Sequence, residues 1–565
     1  MSCDPVRATL ISDFNLEVFA GYLKNDPQLP KVSPFVTPLG QVMQVLMDEN
    51  MKCWEQFNDL AVVWTRPEGV INSFQKALDF RSVNFEQALE EVDAFSGSLS
   101  QLTGRVKILL VPTWTLPIGM TGYGMLERRP GIGLADLLTR MNLRLADNLK
   151  KMSDTFILDT DRWVQLAGQE AFNPKLWYMG KIPFGNSIFK QAVSEIKSAL
   201  TGLMGGAKKI ILVDLDDTLW GGIVGEEGWQ NLKLGGHDPT GEAFSDFQRA
   251  LKSMSRRGIL LGIISKNEEK LALEAIDKNS EMILKREDFV GWRINWSDKV
   301  DNILDLMEEL KLGTESVVFI DDHPIERARV REALPEVLVP DWPQDRMFYK
   351  QFLMSLNCFN TPTLSIEDRE RTKMYKTESY RMGLKKKIGS LDDWLITLDT
   401  KIVVEEINEN NRQRASQLFN KTNQMNLTTR RMKETELMNW VNKKNRRIWI
   451  FRVSDKFGDS GLTGLLGIEH NESQIQVTDF LLSCRVMGRK IEEIMLHIAS
   501  EYGRSLNLKK LTACYLMTEK NHPCYIFLKE SGFEHDEKTD TFMWDLKDSY
   551  PKPDCIKIVN QELDE

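Results

Sequence analysis

The stretch "ILVDLDDTLWGG" (211–222) ends an apolar run on three acids within four positions. Ile211, Leu212 and Val213 read as a strand buried on both faces, the mark of a parallel sheet. Asp214, Asp216 and Asp217 follow at its carboxyl end. Burying a carboxylate without a partner is costly, so a cation or a proton must compensate. What these acids hold is the question on which the reading of the chain turns.

Working outward, residues 209 to about 340 alternate strands with helices. The strand at 210–216 precedes a helix with Phe244, Phe247, Leu251 and Met254 on one face. "GILLGIIS" reads as the next strand, and a helix carrying Val300, Ile303, Leu304, Met307 and Leu310 leads to the strand "SVVFI" (316–320). Such alternation means βαβ units and a doubly wound parallel sheet, whose ligand crevice lies at the carboxyl ends of the strands. The polar residues fall there. Asp214 and Asp216 leave the first strand, Ser265, Lys266 and Asn267 the second, and Asp321 and Asp322 the strand "SVVFI", while Lys299 opens a helix. Carboxylates, a hydroxyl and an ammonium converging on one pocket suit Mg2+ and phosphate. Side chains two apart on a strand share a side. Asp214 is therefore placed to attack phosphorus, forming an aspartyl-phosphate, with Asp216 as proton donor.

The whole chain sets bounds. Its 565 residues exceed one core, so several domains are expected. A formal charge of −9 gives no support for nucleic-acid binding. No apolar run approaches a membrane span, and the amino-terminal stretch carries no signal-peptide pattern. Seven scattered cysteines without a CxxC pair fit a reducing cytoplasm rather than a disulfide framework or a structural zinc site. The expected blocks are 1–203, 204–390, 391–548 and a tail at 549–565, with "MGGAKK" (204–209) as a linker and a charged separator at 365–387.

The ordered set in the middle block resembles the haloacid dehalogenase (HAD) superfamily of phosphotransferases. "DLDDT" matches its first motif, Ser265 its second, Lys299 its third and Asp321-Asp322 its fourth. "DLDDTLWGGIVGEEG", "SKNEE", "INWSDKVDNI" and "FIDDHPIER" are more closely similar to the FkbH-type branch, as are "KTNQMNLTTRR" (421–431) and "SCRVMGRKIEE" (483–493). The resemblance departs at Asp217, where many relatives carry Asn. It implies a Mg2+ enzyme in which 1,3-bisphosphoglycerate loses phosphate and its glyceryl unit passes to the phosphopantetheine thiol of an acyl carrier protein. Asp214, Asp216, Asp321 and Asp322 are then the expected metal-site residues, and Thr218, Ser265, Lys266, Asn267 and Lys299 the expected phosphate- or substrate-binding ones. A plain small-molecule phosphatase and a non-catalytic carrier-binding module are the competing readings.

The third block resembles an N-acetyltransferase (GNAT) fold: the strand "IQVTDFLLS", the turn "RVMGRK", then the helix "IEEIMLHIASEYG". Arg485, Gly488 and Arg489 are expected to line a pantetheine slot, and Arg430 and Arg431 to meet an acidic carrier. Lys490 stands where the GNAT pattern has a small residue. Cys484, beside Arg485, is a candidate acyl acceptor, with a small buried residue as the bland alternative. The first block, with "LISDFN" at a first strand end, resembles SGNH hydrolases. Yet the first histidine of the chain is His237, so residues 1–236 build no Ser-His pair, and a scaffold role is expected.

Overall fold

The computed structural model describes residues 4–55, 58–116, 119–152, 154–362, 371–388, 390–422, 424–432, 434–483, 485–518 and 520–559. The chain forms two compact units, Met1–Thr201 and Gly202–Glu565.

The first unit is built on β1 (Val6–Ile11), β2 (Val32–Val36), β3 (Asn58–Val63), β4 (Val106–Pro112) and β5 (Thr155–Leu158). All pair parallel in the order β2-β1-β3-β4-β5. Alternate residues feed two cores: Leu10, Leu60, Val62 and Leu110 on one face, Ile11, Ala61, Val63 and Leu109 on the other. The amphipathic segment from Asn186 to Leu203 is one helix, burying Ile188, Ala192 and Ile196 on the first of these faces. At the end of β1, Asp13 accepts from Arg66 Nε at 2.9 Å, and Arg66 also pairs with Glu68 at 3.0 Å.

The second unit holds two sheets. The smaller consists of β6 (Ile210–Val213), β7 (Leu260–Ser265), β8 (Gly291–Ile294) and β9 (Val317–Ile320), all parallel in the order β8-β7-β6-β9. Its inner strands are apolar on both faces because helices cover both. Ile211, Val213 and Ile263 meet Phe247 and Leu251 of the helix Pro239–Arg256; Ile210, Leu212 and Ile264 meet Ile303 and Leu306 of the helix Lys299–Leu310. Gly262 permits this second contact: a Cβ there would lie 2.7 Å from Leu212 Cδ2 and 3.3 Å from Leu306 Cδ2. The chain runs β6, β7, β8 in one direction and then returns to β9, so the order reverses between β6 and β9. That reversal is the switch point where open α/β sheets open a crevice.

The larger sheet comprises β10 (Thr400–Glu406), β11 (Met425–Asn426), β12 (Arg446–Asp455), β13 (Gly458–His470), β14 (Gln474–Leu482), β15 (Lys510–Cys514), β16 (Glu534–Asp536), β17 (Thr541–Asp545) and β18 (Ile556–Val559). The path runs β16-β17-β15-β14-β13-β12-β10-β18, with β11 on β14. Residues 549–565, expected as a tail, supply β18, which pairs parallel with β10. "MGGAKK" is no free linker: Lys208 Nζ donates to the Glu315 and Glu336 carbonyls at 2.7 and 2.9 Å. The separator also differs from expectation, since Arg371–Lys387 is a helix. Its Tyr375 sits in the core of the smaller sheet, and its Arg381 pairs with Asp455 of β12 at 2.7 Å. A charge run that looks solvated in sequence finds its partners far along the chain.

Candidate active site

The ladder of β6 runs one residue past the strand, with the Asp214 amide donating to the Ile320 carbonyl at 3.0 Å. The chain then turns tightly: Thr218 N and Leu219 N both donate to the Leu215 carbonyl. Asp217 takes φ 53°, a left-handed conformation that Asp and Asn tolerate better than other side chains. The assigned strand stops at Val213, Asp214 still pairs with Ile320, and Asp216 forms a bridge with Trp220 across the turn at 217–219.

Lys299 opens the helix Lys299–Leu310, where the helix dipole disfavours a cation, and it is only 3% exposed. Two carboxylates compensate: Nζ lies 2.6 Å from Asp321 Oδ2 and 3.2 Å from Asp214 Oδ1. They hold the ammonium pKa above its ordinary value against the opposing effect of burial. Thr218 locks the neighbouring acid, its hydroxyl donating to Asp322 Oδ1 at 3.1 Å and accepting from the Asp322 amide at 3.0 Å. The His323 amide donates to Asp321 Oδ1 at 2.9 Å, and Arg327 Nη1 donates to the Asp321 and Asp322 carbonyls at 2.7 Å each.

Oxygens of Asp214, Asp321 and Asp322 lie within 4.8 Å of one another, the arrangement a divalent cation takes. Three carboxylates face one ammonium, so negative charge is left over. Burial and the Asp214 charge push the Asp321 carboxyl up to about 6, and Asp322 is raised by the same two causes. Asp214 Oδ1 is buried without a hydrogen bond, although Lys299 lies within ion-pair distance. An orphaned buried oxygen in an under-neutralised set of oxygen donors fits a hard cation.

Asp216 stands outside this triplet. Its Oδ1 accepts from Trp220 Nε1 at 2.8 Å and the Val224 amide at 3.1 Å, and its Oδ2 from Asn267 Nδ2 at 2.8 Å. Burial raises its pKa, aided by the charges of Asp214 and Asp217 and opposed by its hydrogen bonds. Its carboxylate takes up three donors and is not among the acids whose oxygens gather within 4.8 Å. Asn267 Nδ2 orients that carboxylate, and its Oδ1 accepts from the Glu268 amide at 2.8 Å. Lys266 Nζ is committed to Glu326 at 2.7 Å rather than to the acids. Ser265 ends β7, buried at 1% exposure, on the strand adjoining β6. Sequence reasoning missed Trp220, whose indole sits four residues beyond Asp216 in the opening motif.

The expected pantetheine and carrier residues fare differently. Arg489 is 1% exposed and pairs with Asp455 at 3.2 Å and with Glu378. The Gly488 amide donates to Glu492 Oε1 at 2.8 Å, so it is spent within its own turn. Arg430 forms a two-pronged pair with Asp479, and Arg431 donates to the Phe419 and Thr422 carbonyls. All four make contacts within the protein, while Arg430 stays 35% exposed and Arg431 lies at the surface. Beyond Val477 and Ala513, where β14 and β15 cease to pair, β11 lies against Leu481 and Leu482, and the Leu516 amide donates to the Leu427 carbonyl at 3.1 Å. Asn521 Nδ2 donates to the Asn426 carbonyl at 3.0 Å, closing the wedge. Cys484 lies outside the described residues. Cys514 is half-buried at the end of β15.

Fold and site together define a multidomain α/β protein with a carboxylate–ammonium centre at the strand ends of its smaller parallel sheet. No family model and no curated protein matches the chain. Among solved structures it is similar to the N-terminal part of the protein BF1531 from Bacteroides fragilis, which contains a phosphatase domain and was crystallised with Mg. That similarity has a TM-score of 0.59 at 26% identity, covering 64% of this chain and 96% of that one. A domain from Methanocaldococcus jannaschii matches at 15% identity over 26% of this chain and 99% of its own, with a TM-score of 0.22. A GNAT-family acetyltransferase from Staphylococcus aureus matches at 11% over 26% and 99%, with a TM-score of 0.21. Among the described residues, no helix is long and apolar enough to cross a membrane.

Proposed function

We propose that this chain is a Mg2+-dependent phosphatase of the HAD type, and that it couples phosphate release to transfer of a three-carbon acyl unit. The observation that carries the reading is the bridge from Lys299 to both Asp214 and Asp321 at the switch point of the smaller sheet. Asp214, Asp321 and Asp322 would hold the Mg2+, which when bound offsets charge on the phosphoryl oxygens. Asp214 attacks phosphorus and forms an aspartyl-phosphate while the leaving oxygen departs. Asp216, fixed by Trp220, Val224 and Asn267, holds the proton that this oxygen takes. Lys299 steadies the nucleophile and the charge gathering on phosphorus. Water then hydrolyses the aspartyl-phosphate.

The finer reading follows the FkbH-type resemblance: 1,3-bisphosphoglycerate is the donor, and a glyceryl unit passes to an acyl carrier protein in the cytoplasm. A second reading, a plain small-molecule phosphatase, is favoured by β11 and Asn521 lying where β14 and β15 cease to pair and by the commitment of Arg489 to Asp455. Mass spectrometry of a phosphopantetheinylated carrier protein, incubated with enzyme, Mg2+ and 1,3-bisphosphoglycerate, separates the two. A mass gain of one glyceryl unit supports transfer. Phosphate release with the carrier unchanged supports the plain phosphatase, and neither event refutes both.

A further inference from the structure

A cavity of about 60 Å3 lies between the helix Arg371–Lys387 and the turn joining β12 to β13. Its charged and hydroxyl lining is Lys373, Arg381 and Arg485 against Glu378 and Asp459, with Thr377 and Ser460. One water takes up about 10–15 Å3 by this measure of volume, so the space accepts a group of four or five heavy atoms. The charges around it do not cancel. Arg381 is consumed by Asp455 and Glu378, and Asp459 faces Arg452 at 3.8 Å. Arg485 has no carboxylate partner among the described residues: its Nε donates to the Ser483 hydroxyl at 3.2 Å, and its Nη1 meets the Met374 thioether, a weak acceptor. Lys373 likewise makes no ion pair among the described residues. A half-buried guanidinium offered only a hydroxyl and a sulfur is left wanting an anion.

We propose that this cavity binds a single phosphate group, held by Arg485 and Lys373 with the Ser460 hydroxyl beside them. The site uses side chains, unlike the amide-lined turn of the GNAT resemblance, whose Gly488 amide is already spent. The phosphate has two candidate sources: inorganic phosphate, or the phosphoryl end of a pantetheine arm. The latter rests on the carrier reading above; the former does not.

Equilibrium binding to the full chain in EDTA, where the acid centre is silent in catalysis, tests the site with inorganic phosphate and free 4′-phosphopantetheine as probes. Binding of at least one probe is expected, weakened about tenfold or more by Arg485→Gln and by Lys373→Glu, and unaffected by Lys299→Met. Lys373 is exposed, so its substitution does not threaten folding. Tighter binding of 4′-phosphopantetheine identifies a carrier's arm as the source, and tighter binding of inorganic phosphate the free ion. Binding lost in Lys299→Met but kept in Arg485→Gln overturns the site, as does the absence of binding by both probes. Neither result bears on whether the acid centre turns over phosphate with Mg2+.

Discussion

Two clusters in the second unit carry buried charge, and their sums differ. At the switch point Asp214, Asp321 and Asp322 surround Lys299, three negative charges against one positive. Behind the turn "RVMGRK", Arg381 and Arg489 meet Asp455 and Glu378, two against two. The first cluster is incomplete without a cation. The second balances in charge, although Arg381 Nε and Arg489 Nε make no hydrogen bond, and it ties the helix Arg371–Lys387 to the larger sheet. Charged residues at a predicted strand end or turn do not by themselves make a site; the unbalanced remainder does.

Asp214→Asn puts the contrast to its severest test. It should lower phosphate release by more than about 10³-fold, the scale of losing a nucleophile. Stability should be undiminished, since the change relieves surplus charge, and steady-state turnover with a urea titration measures both. Asp216→Asn comes next, with a loss of about 10² to 10⁴-fold on an alkyl phosphate, whose leaving group needs a proton. The loss on p-nitrophenyl phosphate, whose leaving group needs none, should be much smaller; equal losses would remove Asp216 from the acid role. In the balanced cluster the expectation reverses. Asp455→Asn leaves two buried arginines facing one carboxylate and should cost about 3–5 kcal/mol in urea unfolding.

The pH dependence of stability divides the two regions by their response to metal. Asp321 is raised to about 6, so the folded protein gives up this proton later than the unfolded chain does. Stability of the metal-free protein therefore falls as pH rises from about 4 through 6. Mg2+, which binds the ionised form, should abolish this fall. Glu492, buried beside the turn and raised to about 7, adds a second fall in the same direction. Mg2+ should leave that part intact, and Glu492→Gln should remove it. Urea midpoints at pH 5 and pH 8, with and without Mg2+, resolve the two. The smallest effect expected is that of Gly262→Ala, which overpacks Leu212 and Leu306 at about 1–3 kcal/mol without entering either cluster.

What was legible in sequence follows from the same physics. The strands "IILV", "LLGIIS" and "VVFI" are buried on both faces, so continuous apolar runs disclose them. Asp214, Lys299 and Asp321 were legible because each follows or opens such an element. β8, "GWRI", is half-exposed and carries no such signal. The wedge of two residues at β11 and the terminal strand β18 are set by partners far away in the chain, which a local pattern does not encode. The same holds for Arg489, whose acids lie at 378 and 455, and for Arg430, whose acid lies at 479. Position relative to a turn was readable; the identity of the partner was not.

The central claim is that Asp214 carries the phosphoryl group. Enzyme mixed with Mg2+ and p-nitrophenyl phosphate can be acid-quenched within one turnover and reduced with borohydride, which converts an aspartyl-phosphate to homoserine. Peptide mass spectrometry should find homoserine at position 214 and at no other carboxylate, and none in the absence of Mg2+. Normal release of p-nitrophenol with Asp214 unmodified throughout, or homoserine at another position, would contradict the account.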